Sequence, residues 1–417
     1  MIYRLNNVEI IDPTSPWNRK TKDIFIKNGK IYEATSEDSS AKTIEAKGWI
    51  IMPGLSETYA SIGDPGFEFR EDIQSLTEAA IKGGVTSVCA IADTEPVTQH
   101  KTQIEYLIKN SRDNLVEIWP IGAITEGLKG KNPTEMFDMH QAGAVAFSDA
   151  PHSVHNSGVM MRALQYVSPF NGVIYSVPFD EDLVGEGQIN EGLTSVKMGM
   201  KGISNLSESL QIYRDLSLLE YTEGQLHFTG VSTEEGIELI REAKKKGLKV
   251  SASVYMHHLL FDENELNDFD TNFKVIPPLR TNKDVKALLK GLKDGTIDMI
   301  STQHVPLDVE SKRLEFEYAT PGMANIEFAF PLALKAIGDV EKIVQLMSIA
   351  PRKLFRKDII SINEGSKANF ILVDPQAKYV VKASQRKSKS ANSPFFDVEL
   401  TGTVKAIFNN GQMKWNE

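Results

Sequence analysis

The chain has 417 residues, with 46 Lys and Arg against 56 Asp and Glu for a formal charge of −10, 41% hydrophobic and 24% charged residues, eight His and one Cys. These are values of a folded globular protein and exclude a disordered, collagenous or fibrous chain. The length allows two to four ordinary domains, or one barrel of about 250 residues with a satellite, and the lone Cys89 leaves no internal disulfide or thiolate zinc site. No apolar run approaches the ~20 residues that span a bilayer, and MIYRLNNVEI lacks the basic start and apolar core of a secretory signal, so the expected setting is the cytoplasm. An acidic chain repels a phosphate backbone, and its one basic run, Arg386 to Lys389, reads as a solvated loop. Neither nucleic acid nor membrane is an expected partner.

From the N-terminus, MIYRLNNVEIID, DIFIKNGKIYEA and KTIEAKGWIIM read as short strands. Asn28-Gly29 sits between apolar-alternating arms, the strongest local hairpin signal because both turn positions need positive φ. The C-terminal KANFILVDP, KYVVKAS and GTVKAIFNNGQMKWNE give three more strands, the last pair of arms meeting around Asn410-Gly411. Strands at both ends with a different pattern between them predict one small β-domain assembled from both termini. Residues 1–52 and 365–417 are assigned to it, and 53–364 to an insertion.

That middle alternates short apolar runs with helical stretches. The runs are Trp49 to Leu55, Val85 to Ile91, Val116 to Ile124, Val145 to Phe147, Val173 to Val177, Gln225 to Phe228, Leu248 to Val254 and Ile297 to Ser301. Between them, Val285, Leu288, Leu289 and Leu292 fall on one face of a helix over Thr281 to Lys293, and Ser232 to Lys246 opens on a Ser-Thr-Glu-Glu stretch suited to capping. Eight strands each followed by a helix predict an α/β fold, a (β/α)8 TIM-type barrel carrying a small terminal β-sandwich. The runner-up, a doubly wound open sheet, calls for a Gly-rich phosphate loop after its first strand, and PGLSETYASIGDPG has none.

Barrel enzymes place their chemistry just past the C-terminal ends of the strands. Here those positions hold Glu57, Tyr59 and Ser61, then Asp93, Asp149-Ala150, Val177-Pro178-Phe179-Asp180, Thr229-Gly230, Tyr255 to His258 and Gln303-His304. A hydrolytic metal site needs several imidazoles or carboxylates converging on the ion. These candidates are scattered.

The order of PGLSETYASIGDPG, GGVTSVCAIADTEP, GAVAFSDA, HFTGVST, HHLLF, IPPLR, STQHVP, GSKANFILVDP and SKSANSPF resembles that of dihydroorotases, members of the amidohydrolase superfamily akin to allantoinases and dihydropyrimidinases. The resemblance implies a zinc barrel, and it implies which positions carried the zinc. The family's Asp-x-His-x-His-x-Arg after strand one corresponds to Glu57, Tyr59, Ser61 and Gly63. Its substrate-contacting Asn corresponds to Asp93, and its Asp-Asp pair is reduced to Asp149 before Ala150. The two remaining metal His positions correspond to Val177 and Gly230, and the strand-eight Asp, ligand and general base, to Gln303. A substrate-binding His three residues beyond His304 corresponds to Leu307, and the Asn of the family's Asn-Pro-Pro-Leu-Arg stretch to Ile276. On this reading all four metal-binding His are replaced. The eight His present, at 100, 140, 152, 155, 227, 257, 258 and 304, stand elsewhere.

His152 and His155 are spaced like two ligands but lie in a Pro/Ser/Asn-rich loop and are read as surface residues. His257, His258 and His304 are read as structural, Arg280 and Asn190 as loop-fixing, Cys89 as buried packing, and Asp180-Glu181-Asp182 with Glu186 as a solvated face. No catalytic residue, metal or other cofactor is therefore expected. What the resemblance implies is a pseudo-dihydroorotase of pyrimidine biosynthesis, a homodimer or a partner in the assembly of aspartate transcarbamoylase. Two alternatives stay open. One is an amidohydrolase with a site re-formed from Tyr59, Asp93, Asp149, His152 or His155; the other is a metal-free sensor of a pyrimidine precursor.

Overall fold

The computed structural model describes residues 2–33 and 41–416; Met1, Glu417 and Ala34 at the end of the DIFIKNGKIYEA arm lie outside the described residues. Both chain ends enter one eight-stranded sheet. From the N-terminus come β1 (Ile2–Ile10), β2 (Thr21–Lys27), β3 (Lys30–Glu33), β4 (Lys42–Glu45) and β5 (Ile50–Pro53). At the expected Asn28-Gly29 turn, φ is 52° and 71°, the left-handed geometry that a two-residue hairpin requires.

The insertion is a barrel of parallel strands, each followed by helix. In chain order they are β6 (Leu55–Ala60), α1 (Ile73–Gly83), β7 (Val85–Ala90), α2 (Lys101–Ser111), β8 (Glu117–Gly122), α3 (Met136–Ala142), β9 (Ala146–Phe147), α4 (Ser157–Val167) and β10 (Ile174–Ser176). An excursion of α5 (Glu181–Val184), β11 (Ile189–Asn190), α6 (Leu193–Met198) and β12 (Gly202–Ile203) precedes α7 (Leu206–Thr222). Then come β13 (Leu226–Phe228), α8 (Glu234–Lys245), β14 (Val250–Tyr255), α9 (Met256–Leu260), α10 (Asn282–Asp294) and β15 (Met299–Ser301). The eight barrel strands pair in the order β6-β7-β8-β9-β10-β13-β14-β15. His304 N donates to Tyr59 O at 3.1 Å and Ser61 N to His304 O at 2.9 Å, which joins last strand to first. Strands buried on both faces produce the near-continuous apolar runs seen in the sequence.

The chain then returns to the terminal sheet with β16 (Phe370–Val380), β17 (Glu399–Asn409) and β18 (Gln412–Trp415), where β16 pairs with β5. Leu5, Val8, Ile10, Ile24, Phe370 and Leu372 form the core of this domain.

Two expectations need correction. The run Trp49 to Leu55 is not the first barrel strand: Ile50–Pro53 pairs with β1 and β16, and the barrel starts at Leu55, so Glu57 and Tyr59 lie within a strand. KANFILVDP and KYVVKAS do not give separate strands: Phe370–Val380, which spans parts of both, is one strand, β16, whose register shifts between Asp374 and Lys378. Gly54, between β5 and β6, has no room for a side chain, since a Cβ there would strike Thr86 and the Asn369 side chain. Among the described residues no helix is long and apolar enough to cross a membrane.

Candidate functional site

Glu57 is fully buried in β6 and joins the two strands that close the barrel. Its carboxylate accepts from Tyr59 N and Thr302 N, both at 2.8 Å, from Thr302 Oγ1 at 2.5 Å and from Ser301 Oγ. Burial pushes its pKa up and these donors draw it back. A carboxylate so saturated with donors has no lone pair directed at a substrate.

Above it, aromatic rings occupy the barrel interior. Tyr59 is buried edge-on to Tyr255, ring centroids 5.4 Å apart, in an apolar cluster with Val177, Phe179, Ala150 and Tyr175. Tyr175 donates to Thr58 O at 2.8 Å and stacks on His227 at 4.6 Å. Gly230 has φ 73°, and a Cβ on it would fall into the Tyr255 ring, against Cε2 and Cζ. Any side chain at 230 thus competes with Tyr255 for one volume. The sequence reading placed Tyr255 at the mouth but missed that it fills it; the available signal was a glycine on one strand end beside a large residue on the next.

The other positions resolve individually. Gly63 has φ 68°, and a Cβ there would press on the carbonyl oxygens of Glu71 and Phe67. Asp93 is partly buried, its Oδ1 has no hydrogen-bond partner among the described residues, and burial raises the carboxyl to about 7 against the opposing Ser61 hydroxyl and Arg70 charge. Asp149 accepts from Ile124 N at 2.9 Å, Thr125 N at 2.8 Å and Thr125 Oγ1, so it holds the loop after β8. Gln303, at φ 50°, donates through Nε2 to Ile276 O at 2.9 Å, while its buried Oε1 is unpartnered among the described residues. Leu307 packs away from the aromatic cluster, beside Gly322, with its amide on Asn392 Oδ1 at 3.1 Å.

The histidines divide by environment. His304 is buried between Glu71 Oε2 at 3.3 Å and Ile326 N at 3.4 Å. His227 binds Ser251 and Ser253 hydroxyls at 2.8 and 3.1 Å, and burial holds it down at about 3. His258 Nε2 takes Pro277 O at 3.0 Å, whereas neither nitrogen of His257 has a hydrogen-bond partner among the described residues.

His152 and His155 lie at the surface, as expected, and both meet Glu181, a carboxylate distant in sequence, at 3.2 and 3.3 Å. That carboxylate belongs to the acidic run expected to be solvated. In the basic run, Arg386, Lys387 and Lys389 are exposed as expected of a solvated loop, while Ser388 between them is buried on Glu71 and Lys389 pairs with Asp72. Arg280 reaches Asn190 Oδ1 and Ile203 O, each at 3.0 Å, and pins the β11–β12 excursion to the barrel.

The residues at the mouth do not fit a divalent metal. Burial holds the Tyr59 phenol well above its ordinary value, so it keeps its proton. Ser61 and the neutral amide oxygen of Gln303 are weak ligands for a divalent ion, and Val177 and Gly230 carry no side-chain ligand atom. Among the described residues no group of three or more His, Cys, Asp or Glu could hold such an ion.

The Dihydro-orotase-like family model matches residues 48–236, and the Amidohydrolase family model residues 226–414. A dihydroorotase of Ruminiclostridium cellulolyticum is 40% identical over 406 residues, covering 95% of each chain. One of Acetivibrio thermocellus is 39% identical over 412 residues, covering 97% of this chain and 96% of its own. Among solved structures, an L-hydantoinase (dihydropyrimidinase) from Arthrobacter aurescens superposes with a TM-score of 0.85 at 24% identity, over 99% of this chain and 96% of that one. A dihydropyrimidinase from Brevibacillus agri gives 0.82 at 17% identity, over 99% and 95%. These likenesses establish the barrel fold.

Proposed function

Because the chain belongs to the dihydroorotase family of the amidohydrolase superfamily, we propose that it is a dihydroorotase-like protein of pyrimidine biosynthesis that works without a metal centre, as a non-catalytic partner supporting assembly of aspartate transcarbamoylase. The observation that carries this reading is the packing of Tyr255 into the side-chain space of Gly230, with Tyr59 edge-on to it. By the family resemblance, 59 and 230 are two of the positions that hold zinc-binding imidazoles. Here one carries a protonated phenol and the other no side chain, and the intervening volume is filled by carbon. Val177 and Gln303 extend the same pattern to a third imidazole and to the general base.

Without an activated hydroxide, the remaining groups supply little hydrolytic power. Glu57 and Asp149 are consumed by hydrogen bonds within the fold. Gly63 offers no guanidinium fork for a substrate carboxylate, and its loop admits no side chain without moving.

One observation favours a second reading. Asp93 Oδ1 and Gln303 Oε1 are buried acceptors without partners among the described residues, and burial raises the Asp93 carboxyl to about 7. These acceptors suit the N–H groups of a ureide, bound without turnover.

Three assays separate the readings. Purified protein supplied with zinc or manganese is expected to show no dihydroorotase turnover and to co-elute with the aspartate transcarbamoylase of the same organism. Turnover at an ordinary enzymatic rate would overturn the proposal, and failure to co-elute would remove the scaffold role. A rise in melting temperature with dihydroorotate or carbamoyl-aspartate, without turnover, selects the binding reading.

A further inference from the structure

The chain holds three Asn-Gly pairs, at 28–29, 171–172 and 410–411, and the fold gives each a different environment. Such a pair can react with itself, because the glycine amide nitrogen, unshielded by a neighbouring Cβ, is able to attack the carbon of the asparagine side-chain amide. Two conditions decide whether it does so in a folded chain. The side-chain amide must be free to turn toward the backbone, and the glycine N–H must be free of a hydrogen bond that fixes its peptide plane.

We propose that Asn28 is a modification site, converted without an enzyme to aspartate and isoaspartate, while the fold protects Asn171 and Asn410. Asn28 meets both conditions. It is exposed at the tip of the β2–β3 hairpin, and neither its side chain nor the Gly29 N–H has a hydrogen-bond partner among the described residues. A Cβ built on Gly29 meets nothing within 4 Å, so the space around the turn is open. The attack passes through a deprotonated amide, and positive charge beside a group favours its anionic form. Lys27 and Lys30 flank the turn, and Lys30 bridges through the backbone to Lys367; none of the three has a carboxylate partner among the described residues.

The other two pairs each fail one condition. Asn410 is half-buried, its Nδ2 donates to Asn114 O at 3.0 Å and its Oδ1 accepts from Lys367 Nζ at 3.3 Å, although the space around Gly411 is as open as that around Gly29. Its side-chain amide is therefore held. Asn171, between α4 and β10, is exposed, but Gly172 N donates to Val167 O at 2.9 Å and Arg356 donates to Asn171 O, which pins the peptide between them at both ends. Gly172 itself is buried, and a Cβ there would strike Phe170 and Val167.

In the reaction the bond from Gly29 N to Asn28 Cγ forms and the Cγ–Nδ2 bond breaks, so that Nδ2 leaves as ammonia with the proton given up by Gly29 N. Water then opens the cyclic imide. Opening at Cγ gives aspartate, and opening at the main-chain carbonyl gives isoaspartate, whose main chain runs through Cβ and Cγ and is longer by a carbon. In a two-residue turn that added length disturbs the pairing of Lys27 with Lys30. It also disturbs the seat of β3, which rests on Ile31 N to Ser366 O at 2.9 Å, Gly365 N to Ile31 O at 2.8 Å and Ala368 N to Gly29 O at 2.8 Å. The site lies on the terminal domain, so this inference does not depend on the functional reading.

Peptide mass spectrometry of the full chain after timed incubation at mildly alkaline pH, with isoaspartate identified by methyltransferase labelling, reads all three pairs in one sample. In the native protein Asn28 is expected to convert at least about tenfold faster than Asn171 or Asn410, because the hydrogen bonds at those two sites must open first. In urea, where those bonds are gone, the three rates should fall within about threefold of one another. Protein converted at 28 should melt below the fresh protein, whereas Asn28→Asp, which brings the charge without the longer main chain, should melt with it. Equal native rates, or a lead for 171 or 410, would overturn the proposal. So would an unchanged lead for 28 in urea, which would assign the selectivity to flanking sequence, or converted protein that melts with the fresh sample.

Discussion

Gly230 and Tyr255 are the pair on which the site turns. Restoring an imidazole at 230 places its Cβ inside a buried ring and forces a side chain onto a backbone at φ 73°. Gly230→His should therefore destabilise the protein by about 1–3 kcal/mol through overpacking and strain, read as a lower urea midpoint. Tyr255→Ala in the same chain should return part of that loss, because the two side chains compete for one volume. An unchanged midpoint in the single variant would show that the ring moves freely. Asp93 gives a pH-dependent test. Its folded carboxyl titrates at about 7, above the ordinary 3.8, so the folded state binds the extra proton between those values and loses stability as pH rises through about 7. Asp93→Asn should accordingly raise the melting temperature at pH 8, and the gain should vanish toward pH 4. A gain of equal size at both pH values would mean that the Asp93 charge is not the cause.

The elements are joined by shared caps as much as by apolar contact. Asp284 accepts from Glu234 N at 3.0 Å at the start of α8, and from Thr281 N at 3.2 Å and Thr281 Oγ1 at 2.5 Å at the start of its own helix, α10. Asp284→Ala leaves amides of two helices unpaired, so a loss of about 1–3 kcal/mol is expected on chemical denaturation, against a few tenths for removal of an exposed carboxylate such as Glu242. The helix over Thr281 to Lys293 was legible because its apolar spacing and its cap both lie within one local segment; it is found at Asn282–Asp294. The first barrel strand was not. Leu55–Ala60 carries Ser56, Glu57 and Thr58, polar residues buried in a strand, whereas Ile50–Pro53 nearby reads as a better barrel strand and pairs elsewhere. Besides the nearby Tyr59 amide, the partners that make Glu57 acceptable in the interior, Ser301 and Thr302, lie far along the chain. The excursion after β10 was hidden for the same reason: it is held by Arg280 and by the Asn190 bond to Glu263 at 2.6 Å, contacts between distant segments.

Across the whole molecule, the two-part architecture was visible as strands at both ends around an eight-run centre, and β5 meeting β16 realises it. The proposed loss of the site rests chiefly on residue types, since the side chain of a valine or a glycine offers a metal no ligand atom wherever the fold puts it. What the sequence could not show is how the freed space is used, because the Tyr255 ring and the Gly230 backbone meet only once two strands are paired. The family and its fold are kept, and on the proposed reading packing stands where a zinc site would need its donors. Elemental analysis of the purified protein after exposure to zinc, and removal of the excess, tests this most directly. Far less than one metal ion per chain is predicted; one or two tightly held ions per chain would contradict it.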